Sequence, residues 1–173
     1  MSTNPATREV TESREASPVH AYVADRGSGV MSDELRHVPI AGKETAISVS
    51  VTETERQIIE ESIRSIGPTA NECFANALRL WELNPRFKYV EGFAVKDDLE
   101  VGEIEHAWCS LDGEKLVDPT TAFDHYHGVT IEDRDVLQQY VDESPEHGIL
   151  GNHTDRFAFL REKGYVGDVT TPK

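Results

Sequence analysis

Three residues between positions 71 and 120 have side chains that can carry out chemistry together. Cys73 lies at the predicted start of an amphipathic helix, His106 lies on a predicted strand, and Asp118 closes the next strand. A thiol nucleophile, an imidazole base and a carboxylate that orients the base are the three roles of thiol-dependent acyl transfer. These residue types in this order predict an enzyme with a cysteine nucleophile.

The predicted position of Cys73 within its helix favours a reactive thiol. Thr69 and Glu72 form a candidate capping box, and Asn71 is a rival cap; the helix is predicted to end near Asn84. With either cap, Cys73 falls in the first turn, where unpaired N–H groups stabilise a thiolate and can hold an oxyanion. The alternative interpretation is a buried cysteine that acts as a small apolar side chain.

His106 and Asp118 are predicted to meet across a β-hairpin whose turn contains Asp112 and Gly113. A loop of these two residues alone would place Asp118 on the face opposite to that of His106. A three-residue loop that also includes Leu111 would place Asp118 directly opposite His106, within hydrogen-bonding reach. We predict the three-residue loop, since glycine suits its left-handed position.

The motifs around these residues resemble the transglutaminase-like branch of the papain-type cysteine enzymes. The resemblance rests on a cysteine at a helix start, H-A-W on a strand and D-P-T at the end of the next strand. It implies that Cys73 is the nucleophile, His106 the base and Asp118 the orienting carboxylate. It also implies a peptide or another amide-containing substrate. The fuller string C-F-x-N-A, Y-V-E-G-F-A, E-H-A-W, D-G-x-x-V-D-P-T and Y-H-G-V resembles small bacterial and phage proteins of unassigned activity, over roughly residues 69 to 131.

One element of the papain-type pattern is missing at its usual place. These enzymes often carry a glutamine shortly before the cysteine to complete the oxyanion hole, but Gly67 occupies that position. Asn71 and Gln57 are the candidates for the role, although Asn71 also suits a helix cap. Trp108 shares the strand face of His106, where it could wall the cleft, shield the His–Asp pair or serve only as a core aromatic residue.

The order of predicted elements favours an α+β fold in which the helix bearing the nucleophile packs on a small antiparallel sheet. Residues 1–45 are rich in Ser, Thr, Pro, Gly and Glu, which predicts a flexible N-terminal extension. Residues 46–173 form the predicted transglutaminase-like domain. Its predicted elements are a short strand at 46–51, helices at 52–66, 130–143 and 154–163, and strands at 87–95, 103–111 and 114–118.

The charge of the chain argues against several classes of partner. The 173 residues include 32 acidic and 17 basic side chains, giving a formal charge of -15, and residues 1–45 carry only -2 of it. The folded part is therefore acidic, as in an ordinary acidic domain or in a surface adapted to high salt, and the scarcity of lysine favours the second. Binding to duplex nucleic acid requires clustered positive charge, so nucleic acid is not a predicted partner.

No cofactor or metal is predicted. The two cysteines cannot form a disulfide scaffold, no apolar run is long enough to span a membrane, and no calcium-binding loop is recognisable. The spacing of His125 and His127 on a strand is a weak zinc signal without a CxxC or HExxH motif. These features predict a cytoplasmic protein or a virion component. The alternative to an enzyme is a catalytically silent binding or structural module that keeps the fold, such as a component of a phage-like assembly.

Overall fold

The computed structural model describes residues 4–143, 148–152 and 157–166. These residues form an α+β fold, as the sequence predicts, in which helices pack on one seven-stranded antiparallel sheet of order β1-β7-β4-β5-β6-β3-β2. The strands are β1 (Ser28–Val30), β2 (Leu35–Ile40), β3 (Lys43–Ser48), β4 (Phe87–Val95), β5 (Ile104–Leu111), β6 (Lys115–Asp118) and β7 (His125–Ile131). The helices are α1 (Pro5–Glu12), α2 (Pro18–Arg26), α3 (Glu53–Ile66), α4 (Cys73–Leu83), α5 (Arg134–Glu143) and α6 (Ala158–Glu162).

The N-terminal segment is folded, so the prediction of a flexible extension is wrong for residues 4–45. Asn4 and Ser17 cap α1 and α2, each followed by a proline in the first helical turn. Val10, Tyr22 and Val23 are buried in the main core. Strands β1 and β2 pair with β7 and β3, so the sheet is larger than predicted. The composition suggested disorder because the segment has few apolar residues, but those few are directed onto the sheet.

Helix α3 confirms the local signals of its sequence. The Thr52 hydroxyl accepts from the Glu55 N–H (3.2 Å), and the Glu55 carboxylate accepts from the Thr52 N–H (2.8 Å), which is the predicted capping box. The helix ends at Gly67, whose φ of 56° is the left-handed conformation that glycine adopts without strain.

Helix α4 packs against β4 and β5, with Ala77, Leu78 and Leu80 buried. The Cys109 thiol on β5 donates to the carbonyl of Ala77 (3.3 Å), which joins helix and sheet directly. The helix ends before Asn84 as predicted. The nucleophile candidate therefore lies at the N-terminal end of a helix that packs on the central strands of the sheet.

The β5–β6 hairpin has a register that differs from the predicted one by two residues. Asp112 and Gly113 both have positive φ (57° and 76°) and form a type I′ turn, closed by the Glu114 N–H donating to the Leu111 carbonyl (3.0 Å). Because Leu111 pairs with Lys115, Glu114 also belongs to the loop, which is therefore one residue longer than the two-residue turn. A shift of two residues preserves the side-chain face, so Asp118 remains on the face of His106, as predicted, but diagonal to it.

The C-terminal elements begin later than predicted. Thr130 and Ile131 belong to strand β7, and α5 starts only at Arg134. The last helix was predicted over residues 154–163; α6 covers Ala158–Glu162, and the predicted start lies outside the described residues. Among the helices of the described ranges, none combines the length and the apolar character needed to cross a bilayer.

The sheet has a core on each face, and both contribute to the site. The main core contains the helices and the inward side chains of the central strands. A smaller cluster on the opposite face includes Val90, Trp108, Leu116, Phe123 and Tyr126. His106 and Asp118 lie among the aromatic residues of this second cluster.

Candidate active site

His106 and Asp118 form a buried pair. The imidazole Nε2 of His106 lies 2.7 Å from the carboxylate Oδ2 of Asp118. The two residues are 4% and 0% exposed, so water does not screen the interaction. The structure thus brings together the two groups that the hairpin argument predicted to meet.

Asp118 is held by hydrogen bonds on both carboxylate oxygens. Its Oδ1 accepts from the main-chain N–H groups of Thr120 (3.1 Å) and Thr121 (3.3 Å), and its Oδ2 also accepts from the Tyr126 hydroxyl (2.8 Å). A buried carboxylate without such donors would be strongly destabilising. These bonds fix the direction in which the carboxylate meets His106.

Cys73 is the first residue of α4 and the third member of the site. It is buried, with 9% of its surface exposed. Its thiol lies close enough to the His106 imidazole to contribute to the raised pKa of that ring. Because Asp118 occupies Nε2, Nδ1 is the ring nitrogen left to face the sulfur. Thiol, imidazole and carboxylate are therefore neighbours in that order.

The imidazole of His106 is held in its protonated form. Burial disfavours the charged ring, but the charge and hydrogen bond of Asp118, followed by those of Cys73, outweigh burial and raise the pKa of His106 to about 10. The site therefore holds a positive charge beside the nucleophile candidate Cys73.

The N-terminus of α4 has no side-chain cap among the described residues. Its N-cap position is Glu72, and the first intrahelical bond runs from the Asn76 N–H to the Glu72 carbonyl (2.9 Å). The predictions of Thr69 and Asn71 as caps are therefore wrong. Asn71 instead has a left-handed φ of 66° and is exposed. The N–H groups of the first turn, including that of Cys73, remain available to a ligand.

Asn76 positions the loop before α4. Its side chain, fully buried, accepts from the Thr69 N–H (3.0 Å) and donates to the Thr69 carbonyl (2.8 Å). The same amide nitrogen donates to the Thr120 hydroxyl (2.8 Å), which lies just after Asp118. One amide thus joins the start of the nucleophile helix to the loop that carries the orienting carboxylate.

Trp108 covers the His–Asp pair and also belongs to the second core cluster. It is 4% exposed, its ring lies 6.0 Å from the His106 ring at 25°, and it meets Tyr126 edge-on at 4.9 Å. Phe123 contacts His106 from another side (4.7 Å). A Cβ at Gly128 would lie 2.6 Å from the Trp108 indole, so only glycine leaves room for this ring. The aromatic residues exclude water from the pair.

A small pocket beside His106 contains a second buried carboxyl group. Glu91, 3% exposed, accepts from the Tyr89 hydroxyl (2.5 Å) and from the N–H groups of Ile149 (2.6 Å) and Leu150 (3.0 Å). Burial raises the pKa of Glu91 to about 7, with a smaller contribution from Glu105 and with the three hydrogen bonds opposing the rise. Phe74, the residue after Cys73, also lines this pocket.

Gly92 follows Glu91 and pairs regularly with His106 on one side and with Gly128 on the other. A Cβ there would lie 2.2 Å from the His127 carbonyl oxygen, so glycine at this position allows the close approach of the neighbouring strand.

Gln57 and the histidine pair do not join the site. Gln57 is exposed on α3, and no hydrogen bond described for it reaches Cys73 or His106. His125 contacts Asp97 (2.9 Å), and His127 contacts the Thr7 hydroxyl (2.8 Å), so each histidine has a separate structural partner.

Three residues of the site carry roles that the sequence did not reveal: Asn76, Thr120 and Tyr126. All three lie within the quoted motifs C-F-x-N-A, D-P-T and Y-H-G-V. Their presence in the motifs could have marked them as candidate site residues. Their hydrogen-bond partners, however, lie in distant parts of the sequence and become known only from the fold.

Comparison with known proteins gives no assignment: no protein-family model, no curated protein and no solved structure matches the chain.

Proposed function

We propose that the protein is a cysteine enzyme of the transglutaminase-like, papain-type class that transfers or hydrolyses an acyl group at an amide bond. The observation that carries the proposal is the buried pair of His106 and Asp118 with Cys73 beside the imidazole, at the N-terminus of α4, which no side chain of the described residues caps. The antiparallel sheet with the nucleophile helix packed on it is in keeping with that class.

In the proposed reaction, the Cys73 thiolate attacks the amide carbonyl and forms a tetrahedral intermediate. The N–H groups of the first turn of α4 are oriented to donate to the developing oxyanion. His106 gives its proton to the departing amine as the C–N bond breaks, which leaves a thioester on Cys73. Water or a second amine, deprotonated by His106, then attacks the thioester and releases the thiol.

Asp118 acts by holding the ring in place. Its bond to Nε2 directs Nδ1 toward the sulfur and stabilises the positive charge of the imidazolium. No metal or organic cofactor is needed for these steps.

A catalytically silent binding or structural module is the second candidate, and the burial of the site favours it. Cys73 and His106 are 9% and 4% exposed, so a substrate has little direct access in this conformation. A module of this kind would keep the three residues for stability alone.

Acylation by p-nitrophenyl acetate separates the two candidates. The enzyme is expected to release a burst of one nitrophenolate per chain and to retain one acetyl group, which mass spectrometry locates on Cys73. Cys73→Ala should abolish the burst. Cys109→Ala is the matched control and should keep it, since burial raises the pKa of the Cys109 thiol well above its usual range. A folded wild-type protein without a burst, or one acylated at Cys109, would contradict the proposal.

A further inference from the structure

A groove borders the candidate site on the side of the Asp118 loop. It holds about 710 Å³ of empty space, and its lining includes Lys43, Asn71, Lys96, Thr120 and Thr121. We refer to these five residues as the lysine groove. Glu44 also contributes to its wall.

The lysine groove adjoins the residues of the proposed chemistry at two places. Asn71 precedes Cys73 by two positions in the loop that leads into α4. On the other side, Thr120 and Thr121 donate their N–H groups to Asp118. A molecule bound in the groove therefore lies beside the N-terminus of α4.

The two lysines give the groove positive charge in a chain of formal charge -15. The Lys43 ammonium donates to the Pro68 carbonyl (2.9 Å), and the Lys96 ammonium donates to the Ala122 carbonyl (3.2 Å). Neither ammonium forms an ion pair with a carboxylate in the described part of the chain. Both ammonium groups are thus positioned by neutral carbonyl groups.

Glu44 offsets one of the two positive charges, so the charged residues of the lining, two lysines and one glutamate, still leave the groove with a net positive charge. The Glu44 carboxylate lies 3.4 Å from the His37 imidazole, and the Glu44 side chain is 65% exposed. Asn71, an exposed residue of the groove lining, adds an amide hydrogen-bond donor two positions before Cys73. Ammonium groups together with amide and hydroxyl donors form an environment that suits a carboxylate.

We propose that the lysine groove binds a carboxylate on the acyl substrate, so that Cys73 acts on acyl groups that carry a negative charge. This inference rests on the proposed function, since it assigns a substrate class to the same thiol. Lys43 and Lys96 are specificity residues, and Asn71 is a hydrogen-bond donor to the bound anion.

Alkylation by two reagents of nearly equal size tests the inference. Iodoacetate and iodoacetamide both form a carbon–sulfur bond with a thiolate and release iodide, but only iodoacetate carries a carboxylate. A chain of charge -15 normally repels iodoacetate. We expect Cys73 to react with iodoacetate at least as fast as with iodoacetamide at low ionic strength.

Substitution of the lysines should remove the preference for the anion. Lys43→Gln and Lys96→Gln are each expected to slow iodoacetate by about threefold, the effect of one positive charge acting through a largely aqueous gap. The rate with iodoacetamide should not change. Lys88→Gln, the matched control, removes the same charge from β4 outside the groove and should leave the rate ratio as in the wild type.

The results of this experiment separate the two proposals. If Cys73 reacts with iodoacetamide but the ratio of the two rates is the same in every variant, the anion site is refuted and the proposed function stands. If Cys73 is inert to both reagents, the proposed function fails and the anion site fails with it. If a lysine variant does not fold, the same question is tested with the wild-type protein. Succinate is expected to protect Cys73 from alkylation by iodoacetamide better than succinamide does. Equal protection by the two compounds would refute the anion site.

Discussion

Replacing Asp118 by asparagine is expected to destabilise the protein by about 3–5 kcal/mol near pH 7, the usual cost of removing one partner of a buried ion pair. Asparagine keeps an oxygen for the N–H groups of Thr120 and Thr121, but it removes the negative charge that faces His106. The imidazolium would then be left buried without its main counter-charge.

The magnitude follows from the protonation of His106. A pKa raised from 6.5 to about 10 in the folded protein corresponds to about 5 kcal/mol of preference for the imidazolium. Because the folded-state pKa is the higher one, this stabilisation is fully present below pH 6.5 and is lost as the pH rises through 10. In Asp118→Asn the burial of the ring dominates, so the pKa of His106 should fall and the stabilisation should disappear.

Guanidinium unfolding followed by circular dichroism measures the effect at several pH values between 6.5 and 10. The difference in free energy of unfolding between wild type and Asp118→Asn should be largest at the lower end of this range and should narrow toward pH 10. Asp112→Asn is a matched control, since Asp112 is an exposed carboxylate that pairs with Arg86 (2.6 Å), and it should change stability little at any pH in the range. Equal stability of wild type and Asp118→Asn, or a difference that does not vary with pH, would refute the buried ion pair.

Three further predictions concern Glu91, Tyr126 and the acidic surface. Glu91 has a folded-state pKa of about 7, above its usual 4.5. The protonated side chain therefore stabilises the folded protein fully below pH 4.5, and this stabilisation is lost as the pH rises through 7. Unfolding curves should therefore show that, between pH 4.5 and pH 7, the free energy of unfolding of Glu91→Gln increases by about 3 kcal/mol relative to that of the wild type. If the free energies of unfolding of the two proteins change in parallel with pH, this role of Glu91 is excluded. Tyr126→Phe removes a hydroxyl donor to a buried carboxylate and should lower the free energy of unfolding by about 1–3 kcal/mol, whereas an unchanged value would show that the bond to Asp118 is not formed. If the negative surface is adapted to high salt, the melting temperature should rise steeply up to molar KCl, and a protein equally stable without salt would rule the adaptation out.

The sequence predicted best those features that depend on neighbouring residues. The capping box of Thr52 and Glu55 and the end of α3 at Gly67 follow from local hydrogen bonds and from one permitted backbone conformation. The meeting of His106 and Asp118 was also predictable, since alternation along two strands fixes the face of each side chain. The hairpin register was not, because an additional residue after a type I′ turn shifts the pairing while the face stays the same.

Features that depend on distant contacts escaped the sequence. Residues 4–45 have few apolar side chains, but the edges of the sheet supply backbone partners that composition does not reveal. Likewise, α4 begins at Cys73 without a cap because Asn76 draws the preceding loop back onto the helix. Tyr126 reaches Asp118 only after β7 has joined β4, so its role could not be deduced from the hairpin alone.

The rate at which iodoacetamide alkylates Cys73 near neutral pH, compared between wild type and His106→Gln, tests the central claim most directly. Glutamine can still bond to Asp118 but cannot act as the proton partner of the thiol. We predict that Cys73 of the wild type reacts on the order of tenfold faster than in a folded His106→Gln variant, because a thiol attacks as its anion and a neighbouring positive charge stabilises that anion during the attack. Equal rates in the two folded proteins would contradict the assignment of Cys73 and His106 as a catalytic pair.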